Sequence, residues 1–338
     1  MINQTRVIPS TRSAETTYAI EVSQLTKTYG KNVKALDCLT FSVNPGSIFG
    51  LLGPNGAGKS TVIKIMTTLT QPNSGEVRIA GLDVIQQPDK VRKSIGYVAQ
   101  KSGVDPQCTG RENLMLQGQL YGLSRKILHS RIPELLDRFD LLDVGDRLCR
   151  TYSGGMQRKM DIAMGLIHEP NILFLDEPTT GLDPESRKAL WESIHRLSKV
   201  EGLTVVLTTH YLEEADQLAD QLAIINYGQL VVEGSPEVLK AGLNGDSLQI
   251  ELVNSSSREE IQRMLQEVDG IHEILLERDF LHVRSENGAV TLPAVLGSLE
   301  AGGIHVNSAT IKRPSLDDVY LQYTGKTFNE TLKESDPS

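Results

Sequence analysis

Residues 53–61 read GPNGAGKST, directly after the apolar run SIFGLL and at the head of the helical-textured run STVIKIMTTL. A glycine-rich turn between a strand buried on both faces and a helix is built to wrap a phosphate. Gly53, Gly56 and Gly58 let backbone N–H groups close round the anion, with Pro54, Asn55 and Ala57 completing the loop. Lys59 brings a point charge to the β- and γ-phosphates, and Ser60, followed by Thr61, offers a hydroxyl to Mg²⁺. This P-loop confines the chain to α/β folds in which a strand runs straight into a helix N-terminus.

The rest of the sequence supplies such a fold. YAIEVSQLTKTYG and VKALDCLTFSVNPG alternate apolar and polar residues and predict antiparallel strands. Two further short apolar runs, ILFL at 172–175 and LTVVLTT at 203–209, lie between helical patterns, so the core is expected to be a parallel sheet. AIINYGQLVVEGSP reads as a hairpin turning near Tyr227-Gly228. After GLNGD at 242–246 the texture becomes β-α-β-β-α-β, the order of a small ferredoxin-like α+β domain. A last helix, SLDDVYLQYTG, has Ser315 and Asp318 in capping-box spacing and Leu316, Val319, Tyr320 and Tyr323 on one face. The expected layout is a flexible tail over 1–17, a nucleotide-binding domain over 18–242, an accessory domain over 245–325 and a second tail over 326–338. The length alone, 338 residues, already points to more than one core.

Ligands of open α/β sheets sit at the carboxyl ends of the strands. ILFLDEP ends in Asp176 and Glu177, and LTVVLTTH ends in His210. Two adjacent carboxylates leaving a buried strand call for a nearby cation, and Mg²⁺ provides one. Asp176 is then the metal residue, mostly through water. Glu177 is left to orient and polarise an attacking water, a role worth roughly 10²–10⁴-fold in rate.

A second anion-binding signature lies a hundred residues on. YSGGMQRKMD at 152–161 opens a helix with a capping Ser153 and two glycines. Glycine in a helical turn costs ~1 kcal/mol against alanine, so its use is to bare backbone N–H groups for close approach. The P-loop, YSGGMQ, LFLDEPTTGLDP and TTH, in that order and spacing over about residues 18–240, resemble the ATP-binding cassette of ABC transporters. That resemblance implies a cassette with an antiparallel β subdomain and a helical subdomain. It also implies two cassettes packed head to tail, with Ser153, Gly154 and Gly155 clamping the γ-phosphate of the opposite subunit. By the same resemblance Tyr29 stacks on adenine and Gln100 senses Mg²⁺ and couples to the membrane subunit. Asp183 matches the loop that crosses the dimer interface, although a simple turn aspartate before Pro184 also fits. His210 matches the histidine that contacts the γ-phosphate, beside Lys59 and Glu177 in the catalytic set. Tyr152 and Met156 depart from the family's usual leucine and glutamine. YSGGM, MDIAMGL and the tail PSLDDVYLQYTG resemble the branch of daunorubicin/doxorubicin-resistance exporters.

Composition narrows the function. Net charge is −9, with 34 basic against 43 acidic residues, which weighs against a duplex-binding protein. Cys38, Cys108 and Cys149 show no metal-like spacing and read as free thiols in a reducing compartment. No run reaches the ~20 apolar residues of a membrane span, and the first seventeen residues lack the apolar stretch of a signal peptide. The expectation is a cytoplasmic ATPase subunit, peripheral on the membrane through an ABC-2 type permease, working as a homodimer with ATP and Mg²⁺ and no nucleic-acid partner. A soluble ABC ATPase acting on nucleic acid or ribosomes is the alternative. A third reading, the C-terminal domain as a small-molecule sensor, would be tested by a cut after Gly242.

Overall fold

The computed structural model describes residues 18–30, 33–243, 245–253, 258–265, 268–277, 280–312 and 314–324. The tails expected over 1–17 and 326–338 lie outside the described residues.

The chain opens with β1 (Ile20–Tyr29) and β2 (Val33–Val43), then β3 (Ile48–Leu52), α1 (Lys59–Met66), β4 (Ser74–Ile79) and β5 (Leu82–Asp83). There follow α2 (Pro88–Ser94), β6 (Ile95–Val98), α3 (Gly110–Leu120), α4 (Arg125–Arg138) and α5 (Gly154–Leu166). Next come β7 (Ile172–Asp176), α6 (Pro184–Lys199), β8 (Thr204–Thr209), α7 (Leu212–Leu218), β9 (Gln221–Asn226), β10 (Gln229–Gly234) and α8 (Pro236–Ala241). β9 and β10 pair antiparallel about Tyr227-Gly228, as the sequence predicts.

The central sheet has the order β10-β9-β3-β8-β7-β6. From β9 to β6 its neighbours run parallel, so five carboxyl ends open on one side. β3 shows why this sheet is buried on both faces. Phe49 and Leu51 face a core shared with α1 and the β2-β1-β4-β5 sheet, where Phe41 stacks on Phe49 at 5.2 Å. Ile48 faces the other way, into the core built with α4, α5 and α6. The strand β6 was not foreseen: its four residues, two of them flanking Gly96, carry too short a pattern to read as a strand, yet they place Gln100. A hollow lined by Gly46, Arg138, Glu169, Asn171 and Thr204 lies at the amino ends of the strands, away from the P-loop.

The C-terminal part comprises β11 (Asp246–Leu252), α9 (Arg258–Leu265), β12 (Ile271–Glu277), β13 (Phe280–Ser285), α10 (Gly288–Ala301), β14 (Val306–Lys312) and α11 (Leu316–Thr324). Its antiparallel sheet, in the order β12-β13-β11-β14, is the ferredoxin-like arrangement and surrounds its own apolar core of Leu248, Ile250, Leu281, Val283, Val295 and Leu299. α11 is capped as expected: Ser315 N–H donates to Asp318 Oδ2 at 2.9 Å and Asp318 N–H donates to Ser315 Oγ at 3.3 Å. What it covers is not the sheet that precedes it. Leu316, Val319 and Tyr320 leave the ferredoxin-like core and join Leu52, Ala215, Leu222, Ile224, Leu239 and Leu243 of the nucleotide-binding part. Tyr323, placed on the same apolar face from the sequence, is 54% exposed.

Candidate functional site

The P-loop bridges β3 and α1 and is held from behind by β2. A Cβ at Gly58, where φ is +108°, would lie 2.6 Å from the carbonyl oxygen of Ala35 and 2.8 Å from Leu36. A Cβ at Gly53 would lie 2.3 Å from the carbonyl of Ile225. Only glycine fits either place. Gly56, at φ +78°, has open space over it and is exposed with Asn55 and Ser60. The loop therefore has a closely packed back and a bare front. Ala57 N–H donates to Pro54 O at 3.2 Å, and Thr61 and Val62 N–H both donate to Gly58 O at 3.0 Å, closing the first turn of α1.

Lys59 is 5% exposed, and its Nζ donates to Gly53 O at 2.7 Å and Pro54 O at 3.1 Å. Burial lowers the ammonium pKa, while the charges of Glu177 and Asp176 oppose that shift. Asp176 closes β7 and is buried; Thr208 Oγ1, from the neighbouring β8, donates to its Oδ1 at 2.6 Å. The same hydroxyl accepts the Glu177 N–H at 3.0 Å. Glu177 sits at φ +45°, a left-handed conformation that is uncommon outside glycine.

The turn at Glu177 aims its carboxylate at two other strand ends. Gln100 Nε2 donates to Oε2 at 2.8 Å, Thr180 Oγ1 donates to Oε2 at 3.3 Å, and His210 Nδ1 stands 3.1 Å from Oε1. His210 is the main reason the Glu177 carboxyl lies below the usual carboxylate range; burial acts the other way, and Lys59 and Thr180 add to the lowering. The geometry thus brings Lys59, Gln100, Asp176, Glu177 and His210 to the carboxyl ends of β3, β6, β7 and β8.

Other predicted positions lie outside that cluster. Tyr29 ends β1, 39% exposed, with Lys27 Nζ 5.1 Å from its ring centre. Ser153 is exposed and its hydroxyl caps α5, accepting from Met156 N–H at 3.3 Å. Gly155 has a reason inside its own chain: a Cβ there would lie 2.8 Å from Ser186 Oγ. Asp183 is the N-cap of α6, accepting from Ser186 N–H at 2.9 Å and Ser186 Oγ at 2.7 Å. Those bonds hold its carboxyl below the ordinary range. Tyr152 is buried, and its hydroxyl donates to Val144 O at 2.8 Å, which satisfies the polar atom that a leucine would lack. Its phenol is pushed up to about 12, chiefly by burial. Met156 packs its side chain into the helical core.

Sequence reasoning missed one residue near the site. Arg158 is 6% exposed and donates to three backbone carbonyls, Ala99 O at 2.6 Å, Pro178 O at 2.8 Å and Asp176 O at 3.0 Å. The available signal was the i, i+3 pair Arg158–Asp161 on a helix otherwise lined by Met160, Ile162 and Ala163.

A phosphate-binding loop entering a helix, with a carboxylate pair leaving a strand one removed from it in a parallel sheet, defines a P-loop nucleoside triphosphatase. Comparison with known proteins agrees. Residues 36–180 match the ABC transporter family model, and residues 234–324 match the model for the C-terminal domain of DrrA1-3-like ATP-binding proteins. The daunorubicin resistance ATP-binding protein DrrA2 of Streptomyces coeruleorubidus is 42% identical, over 94% of this chain and 99% of its own. The doxorubicin resistance ATP-binding protein DrrA of Mycobacterium tuberculosis is 40% identical, over 90% of this chain and 93% of its own. Among solved structures, a dimeric ATP-binding cassette in a post-hydrolysis state with ADP and Pi matches with a TM-score of 0.58 and 27% identity, covering 64% of this chain and 98% of that one. The chain belongs to the ATP-binding subunits of ABC transporters, in the daunorubicin/doxorubicin-resistance branch. It is an ATP-hydrolysing subunit of an export system, and the nucleic-acid alternative is set aside. Among the described residues no helix is long and apolar enough to cross a membrane; an ABC ATPase subunit of this kind works with a membrane partner and as paired cassettes.

Proposed function

We propose that this subunit works as a homodimer beneath an ABC-2 type permease, on the cytoplasmic face of the membrane, and powers efflux of a polycyclic drug of the daunorubicin and doxorubicin class named for its relatives. The observation that carries the catalytic part is the convergence on Glu177 of Gln100, Thr180 and His210, beside the buried Lys59.

In this reading Tyr29 stacks on adenine and residues 53–61 wrap the phosphates. Lys59 exchanges its two carbonyl partners for phosphate oxygens. Glu177, ionised and oriented, takes up the proton of the attacking water, with His210 steering both the carboxylate and the γ-phosphate. Ser153, Gly154 and Gly155 of one subunit close over the P-loop of the other, and Asp183 lies at that junction.

The donor set fits Mg²⁺. Magnesium on a nucleotide needs one or two protein oxygens, the rest being phosphate and water. Among the described residues no cluster of three or more His, Cys, Asp or Glu side chains forms a protein cage, which suits an ion bound in that way. Asp176 has one oxygen engaged by Thr208, Ser60 is exposed on the loop, and Gln100 reaches the neighbouring Glu177. When bound, the ion would neutralise charge on the β- and γ-phosphates.

The test is transport. The chain and its permease, co-expressed in an efflux-deficient host, should lower doxorubicin accumulation, and Lys59→Ala should abolish the effect. Wild-type ATP turnover by Lys59→Ala would refute the site. An intact ATPase that leaves doxorubicin accumulation unchanged with its permease present would refute the cargo class alone.

A further inference from the structure

We propose that Arg158 is a positioning residue for hydrolysis, locking the turn that carries Glu177 and the loop that carries Gln100 to the helix that begins at Ser153. The inference rests on the reading of Glu177 as the group that polarises the attacking water.

All three hydrogen-bond acceptors of Arg158 belong to those two segments. Asp176 O and Pro178 O flank Glu177 on either side, and Ala99 O immediately precedes Gln100. The far side of the Gln100 loop is tied to the same helix. Asp161 Oδ1 accepts from Gly103 N–H at 2.9 Å and Ser102 Oγ at 3.1 Å, and Asp161 Oδ2 lies 3.7 Å from Arg158 Nη1. Gln100 is thereby suspended between two anchors on α5, and its amide reaches Glu177 Oε2 at 2.8 Å.

The backbone explains why such a clamp is needed. A non-glycine residue at positive φ costs of order 1 kcal/mol or more and persists only where its surroundings over-determine it. Glu177 holds φ +45° with the carbonyl before it and the carbonyl after it both on one guanidinium. A planar, five-donor fork can serve three divergent carbonyls at once; an ammonium cannot present the same fixed geometry. Because α5 begins at the Ser153–Gly155 turn, the clamp also links the surface that would meet the partner's nucleotide to the hydrolytic residues of its own site.

The experiment uses the full chain with Arg158→Lys, alone and combined with Glu177→Gln. Circular dichroism and thermal melting establish that each variant folds. Arg158→Lys should lower kcat by about 30- to 100-fold, the scale of a small misplacement of a catalytic group, with KM for MgATP unchanged within about threefold. In the Glu177→Gln background, where the base is gone, the same change should alter single-turnover hydrolysis of labelled ATP by less than about threefold. A residue that merely supported the fold would cost the same factor in both backgrounds, and that result overturns the proposal. So does an unchanged kcat, or a loss confined to KM. If Glu177→Gln alone hydrolyses at the wild-type rate, the reading of Glu177 fails and the inference falls with it, which separates the two failures. Should Arg158→Lys not fold, Asp161→Asn, which keeps the guanidinium but loosens its ion pair and the Ser102–Gly103 anchor, goes through the same two backgrounds with a smaller drop in kcat expected and the same refuting outcomes.

Discussion

Replacing Leu316 by alanine probes the return of α11 to the nucleotide-binding part. Leu316 is 2% exposed within the cluster of Leu52, Leu222, Ile224 and Leu239. The change removes three carbons, about 2.4 kcal/mol of transfer free energy at ~0.8 kcal/mol each. Incomplete collapse of the resulting cavity raises the expected cost to about 3–4 kcal/mol. Trp191, the sole tryptophan, lies on α6 in the helical core with its indole N–H on Glu214, so its fluorescence follows unfolding of the nucleotide-binding part. With a urea m-value of about 3 kcal/mol/M, the midpoint read by Trp191 should fall by about 1 M. Leu281→Ala supplies the comparison: that residue is equally buried, but inside the ferredoxin-like core. It should leave the Trp191 midpoint within about 0.2 M of wild type. If Leu281→Ala moves the Trp191 transition and Leu316→Ala does not, the packing argument for α11 is wrong.

The trans action of the Ser153 turn can be read from two heterodimers: in a symmetric pair, Lys59→Ala on one chain and Ser153→Ala on the other should keep about half the wild-type ATPase rate, above that of wild type paired with the double mutant. The reverse order would assign the turn to its own P-loop. A depressed carboxyl stays ionised above its own pKa and loses its function only as pH falls through it, so the low Glu177 pKa keeps the base available in mild acid. His210→Gln removes the chief lowering influence, so the acid limb of the residual kcat–pH profile should shift to higher pH; a limb that stays or moves down would count against Glu177 as the base. Tyr152→Phe removes one of the two donors to Val144 O, the Arg147 N–H remaining, and should cost about 0.5–1.5 kcal/mol in chemical unfolding with little change in KM for ATP; an unchanged midpoint would show that the hydroxyl bond contributes nothing.

Features set by local rules were legible in the sequence. The P-loop, the turn at Tyr227-Gly228 and the cap at Ser315 each depend on a few adjacent residues whose backbone demands are specific to their type. The alternation that sends Phe49 and Ile48 into opposite cores could be read as burial on both faces, though not which core lay where. Long-range choices were hidden. A four-residue strand such as β6 forms because β7 is already there to pair with it. The apolar face of α11 could be recognised, but an apolar stripe does not name its partner, and only the folded structure shows it against the nucleotide-binding part. A cut after Gly242 consequently removes part of the nucleotide-binding core together with the accessory sheet, so it cannot isolate a sensor. At the site, motif spacing found the residues at the strand ends, whereas Arg158 acts through backbone carbonyls that leave no trace in side-chain chemistry.

The closure of the nucleotide-binding core by α11 also has a consequence in time. The P-loop strand is among the first segments to leave the ribosome, and the helix that covers Leu52 is among the last. At roughly 5–20 residues per second, the stretch between α8 and α11 takes on the order of 4–15 s to synthesise. Throughout that interval the nascent chain presents Leu52, Leu222, Ile224 and Leu239 without their final cover. The contact of that helix with Leu52, closing a loop from the P-loop strand to α11, is entropically late as well as synthetically late. Folding of this ATPase should therefore be most vulnerable to aggregation just before termination, and a nonsense codon between Gly242 and Leu316 should yield an insoluble product even though every nucleotide-binding motif has already been made.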